Sequence, residues 1–326
     1  MSRLWITWER QRRNLELCRA LSCKYNEFNY DNRNGFLRYF LCLYQTILLI
    51  NKEKPKVVFG QNPSVLLALV LVMLKNIFGY FLVIDAHNAG IYPFEGKYSC
   101  VNSVMKRFHS LADLVLVTND KLKGELEKAG GKVFVLPDKV PMIASGKKKH
   151  LDGKINVLFV CKFRDDEPYL EAFEAMRGVP GDFILYVTGK YNRVPAEVVA
   201  ALPQNVRLIG FVPEQEYEAM LCSVDAVMDL TTRDNCLLCG AYEAVGAEKP
   251  MVLSRKKALQ EYFTKGVIYV DNTAEAIRDG LKTLNGDYPV LAVEIISLKK
   301  ELETSWITTL QQLERSIREL QVAEEV

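Results

Sequence analysis

The sequence predicts an α/β protein built from two Rossmann-like domains, and three observations carry that prediction. Short apolar runs such as "PKVVFG", "YFLVIDAHN", "INVLFVCKF" and "DFILYVTG" alternate with amphipathic stretches along most of the chain. Such runs suit strands buried on both faces of a parallel sheet, and the stretches between them suit crossover helices. The alternation pauses at the polar, charged segment "SGKKKHLDGK" (145–154) and then restarts. A chain of 326 residues has room for two medium domains. The expected organisation is a first domain over 1–147, a second over 148–300 and a C-terminal helix over 301–326.

In the first half the expected order is strand "LWITWE", helix "RQRRNLELCRALS", a polar patch "CKYNEFNYDNRNG" and helix "FLRYFLCLYQTILLIN". Strand "PKVVFG", helix "PSVLLALVLVMLKNIFG" and strand "YFLVIDAHN" follow, then a loop with "GIYPFEGKY". Helix "VNSVMKRFHSLA", strand "DLVLVTN", helix "DKLKGELEKAGG" and strand "KVFVLPD" complete that half. The second half continues the same way, through strands "INVLFVCKF", "DFILYVTG", "VRLIGFVP", "DAVMDLTT", "MVLSR" and "VIYVDN". It closes with the helical segments "AEAIRDGLKTL" and "ISLKKELETSWITTLQQLERSIRELQ". There are no solenoid-length repeats and no low-complexity tract.

Composition narrows the class. At 49% hydrophobic and 25% charged residues the chain reads as soluble and globular. The eight cysteines sit mostly inside apolar runs rather than at framework spacings, which points to a reducing, cytoplasmic compartment. The opening "MSRLWITWERQRRN" does not resemble a signal peptide. The longest apolar stretch, Val65 to Leu74, is half the roughly 20 residues a membrane span needs and reads as a core helix. Residues 1–142 carry 20 Lys+Arg against 12 Asp+Glu (+8), and the remainder carries 22 against 28 (−6). A basic half favours an anionic partner. No nucleic-acid-binding motif is present, so nucleic acid is not an expected partner. "FLRYFLCLYQTILLIN" has two readings. One is a core helix over the first sheet, the favoured one; the other is an interfacial helix with basic flanks at a membrane surface.

Ligands of open α/β sheets bind beyond the carboxyl ends of the strands, so two facing domains predict a site in the cleft between them. The loops concerned are Glu9–Arg13, Gly60–Pro63, Asp85–Gly90, Lys162–Glu167, Thr188–Lys190, Phe211–Pro213 and Thr231–Gly240. The last of these, "TTRDNCLLCG", leads from a strand into the helix "AYEAVGAE". Unpaired backbone N–H groups at a helix N-terminus suit a phosphate, so Leu238, Cys239 and Gly240 are expected at one. Gly240 allows close approach, and Glu243 in the first turn suits a pair of ribose hydroxyls. Cys236 and Cys239 form a single Cys-x-x-Cys with no second pair and no nearby histidine, so no metal site is expected.

The stretch "YEAVGAEKPMVLS" resembles the corresponding segment of GT-B nucleotide-sugar glycosyltransferases whose signature is two glutamates eight positions apart. The likeness extends over nearly the whole chain and is stronger from Ile155 to Asn272. Glu243 matches the second glutamate, which the resemblance implies binds the donor ribose. Asn235 stands where the first glutamate, near the donor sugar, would be. Lys162 stands in for the arginine that holds the diphosphate, Glu167 replaces its partner lysine, and Arg164 offers a substitute charge. The resemblance places Phe211 and Val212 at the nucleotide base, Gly189 at the base or sugar, and Thr231 in the donor loop. It further implies a UDP- or GDP-sugar substrate, no permanently bound cofactor and no metal. The acceptor would be a cell-surface polysaccharide, glycolipid or polyprenyl-diphosphate-linked glycan, bound by the first domain at the inner face of a membrane. The C-terminal helix is expected to cross back onto the first domain.

In the first half, His87 ends a strand and is the leading candidate for the reacting centre, since imidazole can exchange a proton near pH 7. Asp85 either orients it or serves as the base of an inverting reaction. Arg10 and Arg13 offer contacts to an acceptor phosphate, with Glu9 as polar contact or base. The other reading makes "ERQRR" a solvated helix start. His109 and His150 are read as structural and solvated. Two rival functions remain: a catalytically degenerate subunit, suggested by Asn235 and Glu167, and a UDP-sugar epimerase.

Overall fold

The computed structural model describes residues 2–30, 34–62, 65–143 and 148–324. The chain divides into two compact units, Met1–Lys139 with Ser305–Val326, and Val140–Thr304.

The first unit holds β1 (Arg3–Thr7), α1 (Arg12–Ala20), β2 (Lys24–Glu27), α2 (Gly35–Glu53), β3 (Val57–Asn62), α3 (Val65–Phe78) and β4 (Phe81–Ala86). The short α4 (Asn88–Ile91), α5 (Ser99–His109), β5 (Leu114–Val117), α6 (Asp120–Glu127) and β6 (Val133–Val135) follow. The six strands are all parallel in the order β2-β1-β3-β4-β5-β6. Every residue of β4 and of β5 is buried, as expected for strands covered on both faces. The helices start where polar side chains can cap them: Asn34 accepts from the N–H of Leu37 and Asn119 from that of Leu122. On one face of the sheet Trp5 stacks on Phe59 (5.5 Å between centroids), in a core that also takes Trp306, Leu313 and Ile317 from the C-terminal stretch. Arg3 pairs with Glu314 at 2.6 Å on that same side.

The second unit holds β7 (Ile155–Phe159), α7 (Tyr169–Met176), β8 (Phe183–Thr188), α8 (Ala196–Ala200), β9 (Val206–Gly210), α9 (Glu214–Ser223) and β10 (Ala226–Asp229). It continues with α10 (Cys239–Gly246), β11 (Met251–Ser254), α11 (Lys257–Tyr262), β12 (Val267–Val270) and α12 (Ala274–Glu324). Its six strands are again all parallel, in the order β12-β11-β10-β7-β8-β9. The α/β class read from the alternation of strands and helices is what the structure shows.

Three elements differ from the sequence reading. The polar patch contains β2, "KYNE", an edge strand whose residues are all at least partly exposed and so lack an apolar run. The first strand ends at Thr7 rather than at Glu9. The two expected C-terminal helices are one helix, α12, which runs through Pro289. Its residues to Thr304 belong to the second unit and those from Ser305 to the first. Of the segment read as a linker, residues 145–147 lie outside the described residues.

Candidate functional site

In the second unit the strand order reverses between β7 and β10. The chain leaves β7 toward β8 on one side and leaves β10 toward β11 on the other, which opens a crevice at their carboxyl ends. The two strands are in direct register, Val157 beside Ala226 and Phe159 beside Met228. Their following loops therefore emerge side by side and bind each other. Asp166 in the first accepts the N–H of Thr232 in the second (2.8 Å), and its carboxylate pairs with Arg233 (3.0 Å).

The loop after β7 is organised by Glu167. One oxygen of its carboxylate accepts the backbone N–H groups of both Lys162 and Arg164, each at 2.9 Å. Between them Phe163 adopts φ +56° and buries its ring, edge-on to Tyr169 at 5.3 Å. A left-handed φ on a bulky residue is strained and needs surrounding contacts to hold it. Glu167 is thus no mere lost lysine: it pairs the loop's N–H groups and leaves the Lys162 and Arg164 side chains exposed. Gly189, at φ +96°, lies directly over the Cys161 carbonyl, where a Cβ has no room. Beside it Lys190 sits over the ring of Phe211 at 5.7 Å, and that ring is 77% exposed. Val212 follows, half-buried.

In the loop after β10, two residues expected at the donor are held by bonds within the protein. Thr231 is buried with all three of its polar groups engaged. Its N–H goes to Ser254 (2.9 Å), its carbonyl accepts from Asn272 (2.9 Å), and its hydroxyl accepts from the N–H of Arg233 (3.1 Å). These bonds fix the turn. The backbone N–H of Gly240 is also taken, by the carboxyl of Asp229 at the end of β10. A Cβ at Gly240 would sit 2.5 Å from that carboxyl and 2.9 Å from Val160, so only glycine fits. Leu238 caps α10 with extended backbone and Cys239 opens the helix, exposed. Asn235 lies half-buried in the loop, and the sulfur of Cys236 leans on the Leu237 carbonyl (3.6 Å). Among the described residues no group of three His, Cys, Asp or Glu side chains is placed to hold a metal ion.

Glu243 lies half-buried in the first turns of α10 and accepts a hydrogen bond from the Tyr217 hydroxyl of α9. Burial, then the negative charge of Glu243, pushes the Tyr217 phenol far above its usual range, so it remains a donor. Asp229 is fully buried, and burial first, then the charges of Glu167 and Glu243, holds its pKa well above the carboxylate range. Sequence reasoning missed Asp229, Tyr217 and the role of Glu167. The ending of "DAVMDL" on an acid at a strand's carboxyl end was the signal available for Asp229. Two surface cavities of about 310 and 520 Å³ in this unit are lined by residues such as Phe173, Arg177, Leu202 and Arg207, and neither includes a residue named above.

In the first unit the reversal falls between β1 and β3, and polar side chains at their ends form one network with α1. Asn14 takes the Trp5 indole N–H (3.0 Å) and donates to Thr7 (3.1 Å) and to Gln61. Gln61 donates to Gln11 (2.6 Å) and lies 3.2 Å from His87 Nε2, which is 3.3 Å from Asp85. His87 precedes α4 with extended backbone, and its side chain makes no cap bond there. Its ring is 24% exposed, whereas Asp85 is 2% exposed.

Arg13, expected at the acceptor, is enclosed within the unit. Its guanidinium is 7% exposed and is bonded to Asp85 through Nε (2.9 Å) and Nη2 (2.8 Å), to Asp138 (2.6 Å) and to the Leu136 carbonyl (2.9 Å). Four of its five N–H groups are occupied. Burial alone would raise the pKa of Asp85. Arg13, and after it His87, outweigh that and hold it well below the carboxylate range. Arg10 is exposed on the loop, within electrostatic reach of Tyr25. The backbone of Glu9 folds over Thr7, whose hydroxyl donates to the Glu9 carbonyl (2.7 Å). His109 is buried, its Nδ1 2.7 Å from the Met105 carbonyl, and His150 is exposed, as read.

This pair of all-parallel sheets, each with its crevice at the strand ends, is the GT-B fold. The chain is similar in fold to sucrose-phosphate synthase of Thermosynechococcus elongatus, at 14% identity and TM-score 0.76, over 99% of this chain and 100% of that one. It is equally similar to Anabaena HepE in complex with UDP and glucose, at 13% identity and TM-score 0.76, over 98% and 100%. A chain from Listeria monocytogenes assigned as a UDP-N-acetylglucosamine 2-epimerase matches at 14% identity and TM-score 0.61, over 90% of each. No protein-family model and no curated protein matches the chain.

Proposed function

We propose that this chain is a glycosyltransferase that takes a nucleotide-sugar donor on its second unit and an acceptor on its first. The observation that carries the reading is the convergence, at the β7/β10 crevice, of exposed Lys162 and Arg164, the two glycines that admit no side chain, and Glu243 held by Tyr217. The base stacks on exposed Phe211 beside Val212, Glu243 accepts the ribose hydroxyls, and Lys162 and Arg164 with the N-terminal end of α10 face the diphosphate. The reading places Leu238 and Cys239 at the phosphates. HepE, whose structures hold UDP, glucose and UDP-glucose, supports UDP as the base carrier. In the reaction the acceptor oxygen bonds to the anomeric carbon, the bond from that carbon to the diphosphate breaks, and the acceptor proton leaves to a base. His87 is that group in our reading, its Nε2–H directed to Asp85 so that Nδ1 faces the substrate. The chemistry uses no metal, since fixed cations and helix dipoles stabilise the leaving group. Its setting is cell-surface polysaccharide or glycolipid assembly on the inner face of a membrane.

The test is the thermal stability of the purified chain against UDP, GDP, ADP, CMP and their sugars, with and without EDTA. A ligand at a hundred times its Kd stabilises by about 2.7 kcal/mol. The expected result is an EDTA-insensitive shift with one nucleotide that Glu243→Ala abolishes; no shift with any of them would overturn the reading. Two rivals keep a specific observation each. The Glu167 carboxylate beside the phosphate position, with Asn235 in place of an acid, favours a degenerate subunit that binds a partner or lipid and turns over no donor. The Listeria likeness favours an epimerase, which would convert a UDP-sugar with no acceptor present.

A further inference from the structure

Helix α2 buries one stripe and exposes another. Cys42, Thr46 and Ile50, at four-residue spacing, face the first unit's core. On the other side Phe36 (88% exposed), Phe40 (56%), Tyr44 (52%) and Leu48 (44%) repeat at the same spacing, with Leu37 and Ile47 between them. At 100° per residue these six fall within an arc of about 120°. The favoured reading of this segment as a core helix therefore holds for one face only. Helix α3 packs against α2 and carries a stripe of its own, Leu66, Met73 (62%) and Ile77 (73%). Scattered exposed apolar residues are ordinary on a protein surface, but two neighbouring helices each bearing an aligned apolar stripe are not.

The charges around these stripes select the occupant. Residues 34–79 contain five cations, Arg38, Lys52, Lys54, Lys56 and Lys75, the last of them paired with Asp113, and one acid, Glu53. That acid is already paired with Lys24 at 2.8 Å. A second copy of the chain docked on this face would bring two like-charged fringes together. A peptide partner would have to supply both an apolar ridge and an acidic border. An anionic bilayer offers a hydrocarbon edge and a negative surface in one plane, the combination an amphipathic helix with basic flanks fits. Among the described residues no helix is long and apolar enough to cross a membrane, so the contact is one of partial insertion.

We infer that the exposed face of α2, with α3 beside it, docks the first unit on an anionic lipid surface by inserting Phe36, Phe40, Tyr44 and Leu48. The inference deepens the proposed function by making the acceptor membrane-borne, and it rests on that reading only for its biological sense. Vesicle binding is measured without any donor or turnover, so the two fail separately.

The experiment is co-sedimentation of the full chain with phosphatidylcholine vesicles and with mixed phosphatidylcholine–phosphatidylglycerol vesicles. The expected result is binding to the mixed vesicles that weakens with added salt, and little binding to phosphatidylcholine alone. Phe36→Ser with Phe40→Ser is expected to cut partitioning by about tenfold or more per ring. Lys52→Gln with Lys54→Gln is expected to cut it about fivefold per lysine, on mixed vesicles only. Both rings are exposed, so thermal melting should be unchanged in the phenylalanine variant, which separates lost docking from lost folding. Failure to bind mixed vesicles would overturn the proposal, and so would binding that survives the loss of both rings. A concentration-dependent dimer dispersed by the same double change would assign the face to a second copy instead.

Discussion

Replacing Arg13 by glutamine removes a guanidinium bonded to a carboxylate that is itself 2% exposed. Asp85 would keep His87 at 3.3 Å and lose bonds of 2.8, 2.9 and 3.1 Å. Breaking one half of a buried pair strands the other charge and costs about 3–5 kcal/mol, and His87 as a remaining partner puts the expected loss near the lower end, about 3 kcal/mol at pH 7. The assay is urea unfolding followed by tryptophan fluorescence. Trp5, Trp8 and Trp306 all lie in the first unit, so the signal reports that unit. The pH dependence should invert. In the native protein the Asp85 pKa lies below its unfolded value of about 3.9, so its stabilisation is complete above that value and is lost as pH falls through the lower, folded one. Without Arg13, burial dominates and the pKa rises. The folded state then binds the extra proton, and the penalty at pH 7 exceeds that at pH 5. Adding Asp85→Asn removes the stranded charge, so the double variant should be more stable than Arg13→Gln alone. A single-variant loss below about 1 kcal/mol, or a double variant no better than the single, would refute the reasoning.

Three further outcomes are expected. Gly240→Ala places a methyl 2.5 Å from the Asp229 carboxyl and should cost about 1–3 kcal/mol and abolish nucleotide-induced stabilisation, read by circular dichroism melting. Glu167→Ala leaves the Lys162 and Arg164 N–H groups without their carboxylate and should weaken nucleotide binding, whereas Glu167→Gln, which keeps an acceptor oxygen, should restore most of it; equal loss in both would mean that charge rather than loop geometry matters. The raised Asp229 pKa means the folded state holds a proton the unfolded state has released, so stability should fall as pH rises from about 4 toward that higher pKa. Asp229→Asn should flatten this slope in denaturant titrations across pH, and an unchanged slope would place the proton elsewhere.

The sequence by itself determined the alternation of strands and helices, and with it the parallel sheets and the loops at their strand ends, because periodicity and apolar runs are local properties of the chain. It also singled out Gly189, Gly240, Glu243 and His87, each at a strand end or helix start where backbone geometry restricts residue choice. What it could not contain was which polar groups meet across long separations. Arg13 and Asp85 are 72 positions apart, and only the pairing of α1 with the end of β4 made the arginine a buried counter-ion. Tyr217 reaches Glu243 over 26 positions, and Glu167 folds back on its own loop. The edge strand β2 has no apolar signature because its stability comes from hydrogen bonds to β1 rather than from burial. Whether α2 was a core helix or a surface one turned on how much of its apolar circumference the sheet could cover. A helix packed on a flat sheet buries one side, so the phenylalanines on the other stayed in view.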